Sequence, residues 1–304
     1  MPPAEVFDKA PVTVRHHLEY GLARATLGLV EAIPLRLAAG MACHVARIFF
    51  QFSRRRRIAI DNILRAGITP DFRTATRIAR ASFEHFALTL VESARCDFLF
   101  RNDTWKQHVA INLPSEVNAI LDDPSQGMIL GCGHYGNWEV AGQIMALRKP
   151  LVGVSRPMSN PLTQDLLRVR RPQVRMRLIP KHDGDLLRFL GILKNHEILA
   201  LMMDQHSGSR GLAIPFFGTP AGTHTAIALL HLVTRTPLVF GVCRRVGLMQ
   251  FELTASGPLQ YTATGNKTED IRAILMWLNT CLEQAIRTAP EQYLWGHRRW
   301  KSIA

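Results

Sequence analysis

The sequence predicts an α/β fold: a central mixed, largely parallel sheet flanked by helices, with a helical N-terminal part. Three observations predict it. Up to about residue 120 the pattern reads as mostly helical. From Gly127 onward, short apolar runs alternate with helical patterns, as strands joined by crossover helices do. The chain has 304 residues and is 47% hydrophobic, enough for a sizeable core.

In the N-terminal part, Phe83, Phe86, Leu90 and Ala94 follow helical spacing, and Asn102-Asp103 lies just past the expected helix end. Met128-Ile129-Leu130 reads as a strand and Trp138 to Leu147 as a helix. Leu151 to Ser155 is a strand, Pro161 to Arg170 a helix, and Arg177 to Ile179 a short strand. Asp185 to Lys194 is a helix, Ile198 to Met203 a strand, and Thr223 to Val233 a helix. Leu238 to Arg244 and Met249 to Thr254 are strands, and Thr268 to Thr288 closes as a helix. No repeat, low-complexity tract or Gly/Ser linker divides the chain. We expect residues 1–60 to form a helical, membrane-interfacial segment and 61–304 a single α/β domain.

The formal charge is +13 and the sequence pI near 10.2, which favours an anionic partner. No secretory signal is evident. Leu22 to Phe52 is the most apolar stretch, but Arg24, Glu31, Pro34, Arg36 and Arg47 interrupt it, and its longest uncharged run falls short of the ~20 residues a span needs. With Arg54-Arg55-Arg56-Arg57 behind it, the segment reads as a membrane-surface element; each basic residue near an anionic leaflet contributes roughly 1 kcal/mol. Cys43, Cys96, Cys132, Cys243 and Cys281 are odd in number and show neither C-x-x-C nor zinc spacing, so we expect free thiols.

In such sheets active groups gather at strand ends, where His134, Arg156 and Asp204 fall. His134-Tyr135-Gly136-Asn137-Trp138-Glu139 sets an imidazole and a carboxylate five positions apart where a strand gives way to a helix. An imidazole oriented by a carboxylate can take a proton from a hydroxyl near neutral pH. Gly131, Gly133 and Gly136 permit a sharp turn. The helix begins near Asn137, so its positive end suits an anion or oxyanion. Arg156 offers a guanidinium fork for phosphate or oxyanion. Asp204 could pair with Arg156 or with His134, and spacing does not choose between Glu139 and Asp204 as the partner of His134.

The hexapeptide resembles the H-x4-(D/E) motif of glycerolipid and lipid A acyltransferases. Its surroundings resemble the late acyltransferases of lipid A biosynthesis, the lauroyl and myristoyl type; phosphatidylinositol mannoside acyltransferases share the superfamily. Arg54 to Asn62 resembles the family's early basic-to-Asn stretch, and Arg156-Pro157-Met158-Ser159-Asn160-Pro161 its R-P-x-x-N-P. Asp204-Gln205 resembles its D-Q strand end, and Pro215 to Ala221 its P-F-F-G-x-P-A. The tail Pro290 to Lys301 resembles its C-terminal signature. The chain departs from the family in lacking a long uninterrupted N-terminal anchor and in placing His206 where another acid is usual; both bear on the acceptor.

The resemblance implies a glycerolipid-acyltransferase-like fold. It also implies acyl transfer from an acyl carrier protein thioester, or acyl-CoA, to a hydroxyl of a lipid A precursor or related phosphorylated glycolipid. His134 would be the general base, Glu139 would orient it and stabilise the imidazolium, and Arg156 and Asp204 would complete the catalytic set. Asn137, Gln205, Arg298 and Arg299 would bind substrate or carrier. The oxyanion would meet backbone N–H groups at the helix start or a basic side chain. Beyond the acyl thioester itself, no metal or other cofactor is implied. The partners are acyl carrier protein, the glycolipid acceptor and an anionic membrane surface, with the chain on the cytoplasmic face of the bacterial inner membrane, peripheral or monotopic.

Rival readings exist. Gly131, Gly133 and Gly136 also fit G-x-G-x-x-G, with Arg156 placed for a 2′-phosphate, as in an NADP-binding oxidoreductase. Cys132 beside His134 could be a thiol nucleophile. The charge could serve nucleic acid, but no nucleic-acid-binding motif is present. Phe216-Phe217 fits either an acyl pocket or the core, and His16-His17, His224 and His231 lack a metal-site pattern.

Overall fold

The computed structural model describes residues 12–99, 102–156, 158–169, 176–180, 186–208 and 211–301. Four helices open the chain: α1 (Val14–Ala32), α2 (Leu35–Phe52), α3 (Arg55–Arg65) and α4 (Phe72–Leu99). The expected run of helix to about residue 120 ends earlier. A strand, β1 (Val109–Asn112), and a short helix, α5 (Ser115–Asp122), follow. Next come β2 (Met128–Cys132), α6 (Trp138–Arg148), β3 (Leu151–Ser155), α7 (Pro161–Val169), β4 (Met176–Pro180), α8 (Leu186–Lys194) and β5 (Ile198–Met202). A hairpin of β6 (Leu212–Phe216) and β7 (Thr219–Thr223) precedes α9 (Ala226–Thr234), β8 (Leu238–Gly247), β9 (Gln250–Ser256) and α10 (Lys267–Thr288). Thr223, expected to open a helix, ends β7 instead. Arg170, Asp185 and Pro157 lie outside the described residues.

The sheet runs β1-β9-β8-β2-β5-β3-β4, and β8–β9 is its antiparallel pair. In its centre β2 and the first six residues of β8 form apolar runs that are almost wholly buried, as two covered faces require, while β5 is apolar throughout and buried at its start. One face packs α6 through Val140, Ile144 and Met145 over Met128, Leu130 and Ile198. The other packs α8, α9 and α10 over Ile129, Val152, Leu199 and Leu238. Helix α10 is started by Asn266, whose side chain accepts from the Thr268 and Glu269 N–H groups, and it buries Ile271, Ile274, Leu275, Leu278 and Leu282 along one stripe.

The boundary expected at residue 60 falls inside α3, and Ala59, Ile60 and Ile63 belong to the same buried cluster as α10. By contrast α1 buries no residue. Among the described residues, no helix is long and apolar enough to cross a membrane.

Candidate active site

Strands β2 and β5 run parallel with Cys132 opposite Met202. Two residues beyond each strand end, the same register sets His134 beside Asp204. The Asp204 carboxylate engages His134 twice: Nδ1 lies 2.8 Å from Oδ1, and the backbone N–H donates to Oδ2 at 2.8 Å. An ionised carboxylate only accepts, so Nδ1 carries the proton and Nε2 holds a lone pair. The Gln205 amide nitrogen lies 3.4 Å from that Nε2, and the Trp138 ring stands edge-on to the imidazole with centroids 5.2 Å apart.

Burial works against the imidazolium of His134, but the charge and hydrogen bond of Asp204 outweigh it, so its pKa lies above the ordinary histidine value. Burial would raise the Asp204 carboxyl, yet His134 and, more weakly, Arg299 hold it below the usual carboxylate range.

His134 lines a cavity of about 600 Å³. At the strand ends this cavity is lined by His134, Trp138, Glu139, Arg156, Gln205 and His224. Farther back the lining is apolar: Leu130 and Ala200 from the sheet, Met145 from α6, then Leu151, Met176 and Leu178. Cys132 lines it too, but burial and then Asp204 push its thiol up to about 12, so it does not supply a thiolate near neutral pH.

Several expectations are corrected. Glu139 is not the carboxylate on Nδ1. It rides the first turn of α6 after the intervening loop and forms part of the cavity wall, whereas sheet register delivers Asp204 to the ring. Asp204 does not pair with Arg156, which stands exposed past β3, two strands from β2, and lines the cavity. Asn137 is fully buried and does not face substrate: its Oδ1 caps α6 at Val140 N–H, and its Nδ2 donates to Glu92. Arg299, only 1% exposed, donates to the Gly222 carbonyl and Thr223 Oγ1 and lies over the Phe216 ring, so it braces the hairpin instead of binding substrate. Arg298 remains exposed. Phe216 and Phe217 pack among Tyr293, Trp295 and Trp300, in the core and not in the cavity. The N–H groups of Tyr135, Gly136 and Asn137 are spent on the carbonyls of Gly133, Gln292 and Cys243, so these cannot serve an oxyanion.

The glycines have packing duties. A Cβ at Gly131 or Gly133 would meet Leu278 or Leu282 of α10 at 2.9 Å. Gly136 has φ +62°, and a Cβ there would come 2.0 Å from the Cys243 carbonyl oxygen. They make room for protein, not for a pyrophosphate, and the oxidoreductase reading is not supported.

Sequence reasoning missed a buried polar group beneath the loop. Ser82, His85, Thr89 and Glu92 are all buried, at i, i+3, i+7 and i+10 along α4. That spacing, which marks one helical face, was the available signal. Glu92 grips Arg245 of β8 at both carboxylate oxygens, 2.8 Å each.

A family profile for bacterial lipid A biosynthesis acyltransferases matches residues 11–302. The chain belongs to that family. A lipid A biosynthesis lauroyltransferase of Escherichia coli (strain K12) is 25% identical over 307 residues, 97% of this chain and 95% of its own length. A lipid A biosynthesis palmitoleoyltransferase of the same organism is 28% identical over 178 residues, covering 58% of this chain and 56% of its own. A lipid A biosynthesis acyltransferase of Haemophilus influenzae is 25% identical over 188 residues, 60% of this chain and 58% of its own. The protein is an acyltransferase, and its family places a lipid A precursor as acceptor.

Proposed function

We propose that this acyltransferase works at a membrane surface, moving a fatty acyl group from an acyl carrier protein or CoA thioester to a hydroxyl of a lipid A precursor, with His134 as general base. The observation that carries this reading is His134 in the wall of a largely apolar cavity with its Nδ1 held by Asp204, which leaves the Nε2 lone pair for a substrate proton. The acceptor hydroxyl gives its proton to Nε2 as its oxygen attacks the thioester carbonyl carbon. Asp204 holds the tautomer and offsets the imidazolium charge. The tetrahedral oxyanion collapses, the C–S bond breaks, and the thiolate takes the proton back from His134. The Gln205 amide and Arg156 are the donors we assign to the oxyanion or an acceptor phosphate, since three loop N–H groups are already occupied. The acyl chain occupies the apolar part of the cavity. The chemistry asks for neither a metal nor a redox cofactor.

Membrane association is supported by the first two helices. Leu37, Met41, Val45, Ile48 and Phe52 form an exposed stripe along α2, and Val14, Leu18, Leu22 and Leu29 one along α1. Phe86, also exposed, stacks on Trp138 at the cavity, so apolar surface reaches the site. Arg54, Arg56 and Arg57 and the +13 charge suit an anionic leaflet, as at the cytoplasmic face of a bacterial inner membrane, and an acidic carrier protein. The test is transfer from acyl carrier protein thioester to a lipid A precursor in vesicles, read by mass spectrometry. Wild type should add one acyl group, and folded His134→Ala should lose ~10²–10⁴ in rate. Undiminished transfer by His134→Ala would end the general-base reading.

A further inference from the structure

Helix α4 and strand β8 meet under the catalytic loop in a buried ion pair that touches no part of the cavity. Glu92 is fully buried and the Arg245 side chain is 9% exposed. Arg245 Nε donates to Glu92 Oε1 and Nη2 to Oε2; Nη2 also reaches Thr89 Oγ1 at 3.2 Å, and Nη1 donates to His85 Nδ1. With its Nδ1 accepting, His85 carries its proton on Nε2 and donates to the Gly136 carbonyl at 3.0 Å. Burial, and then the Arg245 charge, drive its pKa down to about 3, so this tautomer persists at working pH.

The other arm ends on the same loop. Asn137 Nδ2 donates to Glu92 Oε2 at 3.0 Å while Asn137 Oδ1 caps α6. The main chain of Arg245 is clasped by the Gln292 amide, 2.9 Å at the N–H and 2.8 Å at the carbonyl. The Gln292 carbonyl in turn accepts from Gly136 N–H, and Asn137 N–H donates to Cys243 O at 2.7 Å. The Gly136 carbonyl is therefore tied to this pair through His85, and the Asn137 amide directly by Glu92.

Stability does not require such a pair, because apolar residues of similar volume often serve a buried site equally well. An apolar pair could not orient a histidine and an amide. We propose that Glu92 and Arg245 are positioning residues for acyl transfer: through His85 and Asn137 they fix the 134–137 loop, and with it the aim of His134 Nε2 and the first turn of α6. The proposal rests on the reading of His134 as general base. Displacement of a reacting group by about 1 Å costs ~10²-fold in rate, so these residues act on turnover without touching substrate.

The experiment is steady-state kinetics of Glu92→Met/Arg245→Met, which removes both charges and strands neither, with acyl carrier protein thioester and lipid A precursor as substrates. Circular dichroism and thermal melting establish the fold. The expected result is a fall in kcat of ~10–100-fold with KM for both substrates within about threefold, the pattern of lost transition-state alignment. A folded double variant with kcat within about twofold of wild type would overturn the proposal, since a purely structural pair predicts that outcome. Should the double variant fail to fold, Asn137→Ser decides, because it keeps the helix cap and deletes only the amide to Glu92. Its kcat should fall ~3–10-fold at unchanged KM, and wild-type kcat there would overturn the proposal equally. His134→Ala assayed alongside separates two failures. If it is active, the general-base reading falls. If it is inactive while the decisive variant turns over normally, only the positioning role falls.

Discussion

The loop after β2 and the helix pair α1–α2 handle polar and apolar groups in opposite ways. Across residues 134–137, nearly every backbone group is hydrogen-bonded, to Asp204, Leu294, Gln292, His85 and Cys243, and the side chain of Asn137 is used at both ends. Along α1 and α2 the large side chains are turned outward: Leu18 and Leu22 are each 71% exposed and Phe52 85%. The loop is built to hold one geometry, and the helices to offer a surface. A catalyst that takes a diffusible thioester and a lipid acceptor has use for both, with rigidity where a proton moves and uncovered apolar area where the lipid lies.

The largest effect should come from unseating the base. Asp204→Asn keeps the shape but no longer fixes the tautomer, and kcat should fall ~10²–10⁴-fold in a coupled thioester-release assay. Neutral imidazole is the active form, so kcat/KM rises with pH as His134 loses its proton. Asp204 holds that pKa above the ordinary value of ~6.5, so the wild-type limb lies above it, and the residual activity of Asp204→Asn should titrate at lower pH. A limb in the same place in both proteins would show that Asp204 does not tune His134.

A second break targets the grip itself. Gly136→Ala introduces a Cβ against the Cys243 carbonyl at a positive φ, and should destabilise the fold by ~3 kcal/mol or more in urea titration. Unchanged stability would mean that the loop yields easily, and the contrast with the helices would weaken.

The smallest effect tests the other region. Val45→Ser/Phe52→Ser removes two exposed side chains seven residues apart on α2. Binding to anionic vesicles should weaken ~10–100-fold, since insertion at an interface is partial and each group then contributes about 1 kcal/mol, less than the ~1.5–3 kcal/mol of full burial, while the melting temperature stays put. A drop in melting temperature with unchanged vesicle binding would make the stripe part of the fold instead.

The sequence discloses each region to a different depth. Strands β2, β3, β5, β8 and β9 and helices α6 and α10 are legible to within a few residues, because fully buried strands are continuous apolar runs and crossover helices carry a stripe. Strand β1 is missed because four residues show no period, and the β6–β7 hairpin because Pro215 and Pro220 interrupt its alternation. His134 is legible from its motif and strand-end position. Its partner is not, because the choice of Asp204 over Glu139 depends on β5 pairing with β2 across 70 residues of chain. Asn137 and Arg299 read as ligand-binding groups since nothing in their spacing reveals that their donors are consumed by a helix cap and a hairpin. Glu92 and Arg245 are 153 positions apart, and only the buried polar face of α4 hints at half of that pair.

The central claim is that Asp204, and not the motif's own Glu139, completes the base. The most direct measurement compares single-turnover acyl transfer by Asp204→Asn and Glu139→Gln under identical conditions. We predict a loss of ~10²–10⁴-fold for Asp204→Asn and less than about tenfold for Glu139→Gln. Near-normal transfer by Asp204→Asn with a collapsed rate in Glu139→Gln would contradict the account.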